Sequence, residues 1–208
     1  MTVPRSKADI KAKYDGMAGR YNLVETPYEL LLGIKNLRRQ LLQGATGKVL
    51  EIAVGTGKNL SHYSKDCEIT AVDMSTGMLG VARRHAEGLG RNIAFRTMDA
   101  EALAFPDRSF DTVVSSLSLC TFPNPVAAVR EMARVCRPEG RILLLEHGRS
   151  DHEWLGQWMD HRADKHARRV GCRWNRHPLD IVQQAGLTLI KAKRTFLGIM
   201  HQIEAQPS

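Results

Sequence analysis

The sequence predicts an α/β protein built on a mostly parallel sheet, and three observations carry that prediction. Five short apolar, β-branched runs follow one another at 48–54, 68–74, 92–98, 111–117 and 141–147. Segments with helical spacing lie between them, at 57–65, 75–88 and 124–136. The chain then closes with LTLIKAKRTF and GIMHQIEAQ, two strand-like runs whose short connection demands an antiparallel pair. Strands buried on both faces need continuous apolar runs, and their alternation with helices of ~10–15 residues requires right-handed crossovers.

Length and composition agree. The 208 residues are 43% hydrophobic and 25% charged, enough for one core without covalent staples and too polar for a polytopic membrane protein. Lys and Arg number 30 against 22 Asp and Glu, a net charge of +8 that suits anionic partners. Cys67, Cys120, Cys136 and Cys172 lie far apart with no C-x-x-C, so the reading is reduced thiols in a cytoplasmic setting, with no metal. MTVPRSKADIKAKYDG lacks the apolar core of a signal peptide. The longest apolar runs, 30–32 and 142–145, fall far short of the ~20 residues that span a bilayer. A soluble chain, at most peripheral to a membrane, is expected.

Residues 1–44 read as two helices, the second placing Leu30, Ile34, Leu37 and Leu41 on one face before Gly44 and Gly47 end it. After residue 148 the texture changes, and 150–178 hold all three Trp among many Arg. Trp154, Trp158 and His161 fall at i, i+4 and i+7. Such a stripe reads first as core packing; the functional alternative is a substrate cover or a lipid-facing surface. Cys120 and Cys136 read as small core residues.

The segment richest in chemistry is LEIAVGTGKNL (50–60), a strand, a glycine turn and a helix start. Gly55 and Gly57 let a backbone approach a ligand and adopt positive φ. The next strand ends at Asp73, where a carboxylate accepts hydrogen bonds from both ribose hydroxyls of an adenosine ligand. A dinucleotide fingerprint would need glycine at Leu60, and no P-loop is present. The adenosine ligand left is one without phosphates, S-adenosylmethionine.

LEIAVGTG, AVDMSTGML, MDAEALAFPDRSFDTVV and VREMARVCRPEGRILLLEH, in that order, resemble the successive motifs of the class I methyltransferases, over about Tyr14 to Gln206. The resemblance implies a Rossmann-like, seven-stranded, mostly parallel sheet with an antiparallel last strand. It implies a single domain over 1–208, a helical cap at 1–44 covering a core at 45–208. Ala53 stands where most families have their first glycine, a departure often shared by quinone-biosynthesis C-methyltransferases.

The same resemblance implies residue roles. Glu51 would orient the loop or reach the methionine amino group, Gly55 and Gly57 would lie under the methionine, and Met74 would sit against the adenine beside Asp73. Asp99 and Ala100 would face the adenine amine, with a helix N-cap as the plainer reading of Asp99. Ser116 and Leu117 would border the methionine tail, and Tyr21 would close over the cofactor as a lid or pack into the core. His147, ending the fifth strand, is the candidate proton acceptor, or else a structural histidine.

The acceptor is narrowed by elimination. SLSLCTFPNP (116–125) is not the Asp/Asn-Pro-Pro-aromatic turn of adenine and glutamine methylation, and Ser115, Ser116 and Ser118 replace the carboxylates that hold Mg²⁺ in catechol methylation. No RNA-binding motif accompanies the positive charge, so no nucleic-acid partner is expected. YDGMAGRYN is similar to the opening of quinone C-methyltransferases and bacterial phosphatidylethanolamine N-methyltransferases. SLSLCTFPNP, LLLEHG and EWLGQWMDHRADKHARRVGCRWNR are more like membrane-associated alkyl-thiol methyltransferases. The expectation is methylation of a small lipophilic acceptor through nitrogen or sulfur, with peripheral contact to an anionic membrane. Prenyl-quinone C-methylation, nicotinamide-dependent reduction and non-catalytic adenosylmethionine binding stay open as alternatives.

Overall fold

The computed structural model describes residues 6–208, the side chains at 24, 25 and 28 excepted. Among the described residues the N-terminal region holds three α-helices instead of two: α1 Lys7–Met17, α2 Tyr21–Leu31 and α3 Ile34–Leu42. The expected start of that region, residues 1–5, lies outside the described residues. Ser6 caps α1 with a reciprocal box, its Oγ accepting from Asp9 N (3.1 Å) while Asp9 Oδ2 accepts from Ser6 N (3.2 Å). Gly33 at φ +60° splits the anticipated second helix. The apolar stripe therefore begins at Ile34, and Leu30 is left 67% exposed.

Seven strands follow: β1 Lys48–Ile52, β2 Glu68–Asp73, β3 Ala94–Thr97, β4 Phe110–Ser116, β5 Cys136–His147, β6 Thr188–Thr195 and β7 Met200–Gln206. Their order in the sheet is β3-β2-β1-β4-β5-β7-β6. The first five pair in parallel, and β7 slots antiparallel between β5 and β6. Helices α4 Thr76–Gly88, α5 Pro125–Val135, α6 Glu153–Val170 and α7 Pro178–Gln184 complete the fold. The predicted helix at 57–65 shrinks to a single 3₁₀ turn, Leu60–His62. The physical reason lies in Asn59, whose side chain turns inward to bond Glu51 and Ser116 (3.0 Å each) while the chain is extended again at Tyr63.

Side chains alternate across the sheet, so each strand feeds two cores. Leu50, Ile52, Val113, Ile142 and Leu144 face α5 and α7, packing on Val129, Met132, Val135, Ile181 and Val182. Val49, Ala71, Val114, Leu143 and Leu145 face α3 and α4, packing on Ile34, Leu37, Leu41, Leu79 and Ala82. Each Leu or Ile taken fully from water contributes roughly 1.5–3 kcal/mol. Edge strand β6 is mostly exposed and carries Lys191, Lys193 and Arg194, charges that discourage pairing with another chain.

On α6 the core reading of the aromatic stripe is overturned. Gly156, Met159 and Ala163 form the buried face, whereas Trp154 is 68% exposed and Trp158 and His161 are also exposed. Among the described residues no helix is long and apolar enough to cross a membrane.

Candidate functional site

The chain leaves β1 toward β2 and β3 on one side and reaches β4 and β5 on the other. This is the reversal point at which open α/β sheets bind ligands outside their carboxyl ends. A cleft opens there, lined by the ends of β1, β2 and β4, the loop after β3, and the cap helices α1 and α2.

The turn after β1 sets its floor. Ala53, Gly55 and Gly57 all have positive φ, at 51°, 55° and 82°. For Ala53 the left-handed conformation is strained, a feature that clusters at functional sites. At Gly55 an added Cβ would meet only Ala53 O at 4.0 Å, so its face is open to the cleft. At Gly57 the Cβ would lie 2.7 Å from Leu60 Cδ1, and Gly57 does not line the cleft. Of the two glycines expected under a ligand, Gly55 lines the cleft and Gly57 does not; Gly57 is needed because the turn packs hard on Leu60.

Asp73 ends β2 facing the cleft, its Oδ2 accepting from Gly55 N and its Oδ1 from Ser75 N (2.8 Å each). Burial pushes its carboxyl above the usual value, and those two N–H groups pull it back. Glu51 lies deeper. Its Oε1 accepts from Asn59 Nδ2 (3.0 Å), whereas Oε2 is buried without a hydrogen bond of normal geometry among the described residues, the buried Tyr63 hydroxyl being the neighbouring donor that interacts with this carboxyl. Burial raises this carboxyl to about 7, only partly offset by the polar groups of Tyr63, Arg38 and Asn59. A buried acceptor without a donor costs ~1–3 kcal/mol, and a donor entering the cleft would recover that cost.

Asp99 follows β3. Its Oδ1 accepts from Glu101 N (2.9 Å), which makes it a turn cap, and its Oδ2 takes Lys7 Nζ at 2.5 Å. Lys7 also reaches Glu101 Oε2 (2.8 Å), and the two carboxylates raise its pKa. Ala100, Met74 and Ala53 line the same cleft. At the end of β4, Ser116 Oγ accepts from Asn59, and Leu117 stands at φ +55°.

The cap is fastened to these loops. Asp15 accepts from Ser75 Oγ (2.6 Å) and Gly77 N (2.9 Å). The bonded Lys11, with Ser75 next, holds that carboxyl down at about 2. Thr56 Oγ1 donates to Asn22 Oδ1 (2.7 Å), and Tyr14 and Tyr21 present rings 6.3 Å apart to the cleft. Tyr21 therefore stands in the cap over the cleft.

Sequence reading missed Asn59 and Arg38. Both are buried beneath the cleft, joined by Arg38 Nη1 donating to Asn59 Oδ1 (2.8 Å), and Asn59 links Glu51 to Ser116. The available signal was an asparagine directly after Lys58 in a glycine turn, a type that bonds backbone or buried groups rather than continuing a helix. His147, expected to face the crevice, does not line the cleft; its Nε2 lies 3.3 Å from Cys172 Sγ, and Cys120 Sγ is within 4.8 Å of both. Two cysteines read as isolated are thus neighbours in space.

Residues 50–144 match the family described as a methyltransferase domain, a span that runs from β1 into β5. A ubiquinone/menaquinone biosynthesis C-methyltransferase UbiE from Cellvibrio japonicus (strain Ueda107) is 31% identical over 73% of this chain and 67% of its own length. The chain belongs to the class I S-adenosylmethionine-dependent methyltransferases. A phosphatidylethanolamine N-methyltransferase from Cereibacter sphaeroides is 44% identical over 49% of this chain and 51% of its own. Among solved structures, the YcgJ protein of Bacillus subtilis superposes with a TM-score of 0.64 at 27% identity, covering 77% of this chain and 71% of the other. The chain spans about half the length of the first curated relatives it matches.

The cofactor of this methyltransferase family is S-adenosylmethionine, and the residues present fit it. The unsatisfied Glu51 oxygen suits an ammonium group, Gly55 leaves space where a side chain would intrude, and Asp73 offers a carboxylate at a strand end.

Proposed function

We propose that the chain transfers the methyl group of S-adenosylmethionine to a small lipophilic acceptor through a nucleophilic nitrogen or sulfur. The observation that carries this reading is the composition of the cleft, where Glu51, Asp73 and Asp99 share one cavity with Tyr14, Met98, Leu117, Phe122 and Pro123. Glu51 takes the methionine ammonium and Gly55 the methionine chain, with Ala53 shaping the turn. Asp73 takes the ribose hydroxyls, Met74 the adenine face, and Asp99 with Ala100 the adenine amine once Lys7 yields. Ser116 and Leu117 border the methyl donor, and Tyr21 closes from the cap. The cofactor supplies an activated methyl group, and the protein supplies alignment, which can be worth ~7–11 kcal/mol. A catalytic base at His147 is not required.

The relatives named above act on different acceptor atoms, so the test is an acceptor panel. Lipophilic amines, alkyl thiols and a prenyl-hydroquinone are incubated with S-adenosylmethionine, and S-adenosylhomocysteine is measured. Turnover with an amine or thiol is expected; turnover confined to the hydroquinone, with the methyl found on ring carbon in the product by NMR, would establish carbon methylation instead. Cofactor binding without turnover across the panel would reject the amine and thiol reading.

Peripheral contact with an anionic membrane belongs to the same proposal. Leu31, 81% exposed, and Leu30 end α2; a Cβ added at the adjoining Gly33 would lie 4.0 Å from Phe196 Cζ in the β6–β7 turn, where Leu197 is also exposed. Ser150 Oγ donates to Leu197 O (2.6 Å), bringing the start of α6 and its exposed Trp154 to the same region. An apolar patch on a chain of charge +8 suits an anionic surface, at roughly 1 kcal/mol per nearby Lys or Arg within a Debye length of ~8 Å. Co-sedimentation with anionic vesicles, lost at high salt, is expected. Equal, negligible pelleting with anionic and neutral vesicles would end the membrane reading.

A further inference from the structure

Beside the cleft, Cys120, His147 and Cys172 bring two sulfur atoms and a ring nitrogen within 4.8 Å of one another. They come from three elements: the turn after β4, the end of β5, and the loop that follows α6 beyond its left-handed cap at Gly171. Ser118 and Thr121 line the cleft while Cys120 between them does not, so the cluster backs onto the wall of the cleft.

The three elements are tied together by backbone and side-chain hydrogen bonds. Arg173 N donates to Cys120 O (2.9 Å), and the Arg176 guanidinium donates to Leu119 O. Both Glu146 carboxylate oxygens accept from Ser118 N, and Oε2 also accepts from Leu119 N (3.1 Å).

We infer that Cys120, His147 and Cys172 form a zinc site that leaves one coordination position open. Tetrahedral zinc with Zn–S of ~2.3 Å and Zn–N of ~2.0–2.1 Å sets its ligand atoms roughly 3.5–3.8 Å apart. The observed span, from 3.3 Å between Cys172 and His147 to at most 4.8 Å, brackets that separation. Two thiols and an imidazole are the soft donor set that favours zinc over Mg²⁺ or Ca²⁺. Binding releases the two thiol protons to solvent, and two thiolates with a neutral imidazole then balance the charge of the ion. Among the described residues no fourth His, Cys, Asp or Glu joins the group. Three protein ligands leave the fourth position to water or to an exogenous thiolate.

Metal content and cobalt spectroscopy test this on the full chain. The reduced protein is incubated with Zn²⁺, dialysed and assayed for metal; separately, Co²⁺ is titrated in and followed by thiolate-to-cobalt charge-transfer absorption. About one zinc per chain is expected in the wild type and in Cys67→Ser, whose thiol lies outside the cluster. Cys120→Ser and Cys172→Ser should each weaken zinc by at least about 100-fold, the upper end of what outer-sphere partners alone contribute. Retained adenosylmethionine binding shows that each variant is folded. Three outcomes would overturn the site: no zinc in the reduced wild type, undiminished zinc in both serine variants, or a cobalt complex without thiolate absorption.

Discussion

The β1 and β5 ends of the sheet flank β4 and each carry a buried glutamate whose carboxyl is raised to about 7 by burial. Their surroundings differ. Glu146 is satisfied by the backbone N–H groups of Ser118 and Leu119, so it clamps the turn that carries Cys120. Glu51 keeps one oxygen without a donor in a cavity wall. Equal burial and equal chemistry thus produce a structural clamp in one region and, in the other, a cleft-wall carboxyl with an acceptor position left over, the group proposed to meet the cofactor. What separates them is that backbone N–H groups of the chain reach both Glu146 oxygens and only one Glu51 oxygen has a hydrogen bond of normal geometry.

The largest expected effect is on the β1 side. Gly55→Val places a β-branched side chain at positive φ in open cleft space, and adenosylmethionine affinity should fall by at least about 100-fold with the circular dichroism spectrum retained. Gly57→Ala makes the contrast, since its collision with Leu60 should lower the melting temperature first. Normal binding by the Gly55 variant would mean that this turn is structural, like Gly57.

Asp73→Ala comes next. Losing charge-assisted hydrogen bonds of ~1.5–3 kcal/mol each should weaken adenosylmethionine by tenfold or more in calorimetry. Unchanged affinity in a folded variant would remove Asp73 from the site.

The two glutamates themselves supply the third test. On the proposed reading ionised Glu51 pairs with the cofactor ammonium, so affinity should drop toward tenfold per pH unit below about 7, where burial places this carboxyl in the free protein. Glu51→Gln should flatten that dependence, whereas Glu146→Gln should leave it intact. Stability carries the opposite sign. Both folded-state values lie above the ordinary 4.5, so the stability they contribute is complete below pH ~4.5 and is lost as pH rises through about 7. Melting temperature should therefore decline from pH 5 to 8, less steeply in either Gln variant. A profile identical to wild type in both variants would contradict the burial argument.

The smallest effect concerns Ala53. Its left-handed backbone costs roughly 1–2 kcal/mol, part of which glycine would return in unfolded-state entropy, so Ala53→Gly should stabilise by no more than about 1 kcal/mol. Destabilisation in chemical denaturation would show that the Ala53 methyl packs more than it strains.

The cofactor side was legible because its signals are local. A strand followed by a glycine turn, and a carboxylate at the next strand end, depend on residues that stay close in sequence. The far side was not. His147 was read as facing the crevice because strand ends usually do, yet Cys172, twenty-five residues later, draws it away. The Trp154–Trp158 stripe has core spacing, but Gly156, Met159 and Ala163 let that other face of α6 approach more closely. The helix read at 57–65 gave way because Asn59 found partners that only the assembled floor provides.

The sequence alone determined the parallel α/β order, the antiparallel end, the positions where the chain can turn with positive φ, and the carboxylates at the strand ends. Backbone sterics and side-chain periodicity act over a few residues, so such features are written locally. Tertiary structure decided which Glu51 oxygen lacks a donor, which glycine faces open space, and that Cys120, His147 and Cys172 meet. Those outcomes depend on the packing of segments tens of residues apart, where burial and hydrogen-bond satisfaction are settled only after the sheet has closed around its two cores.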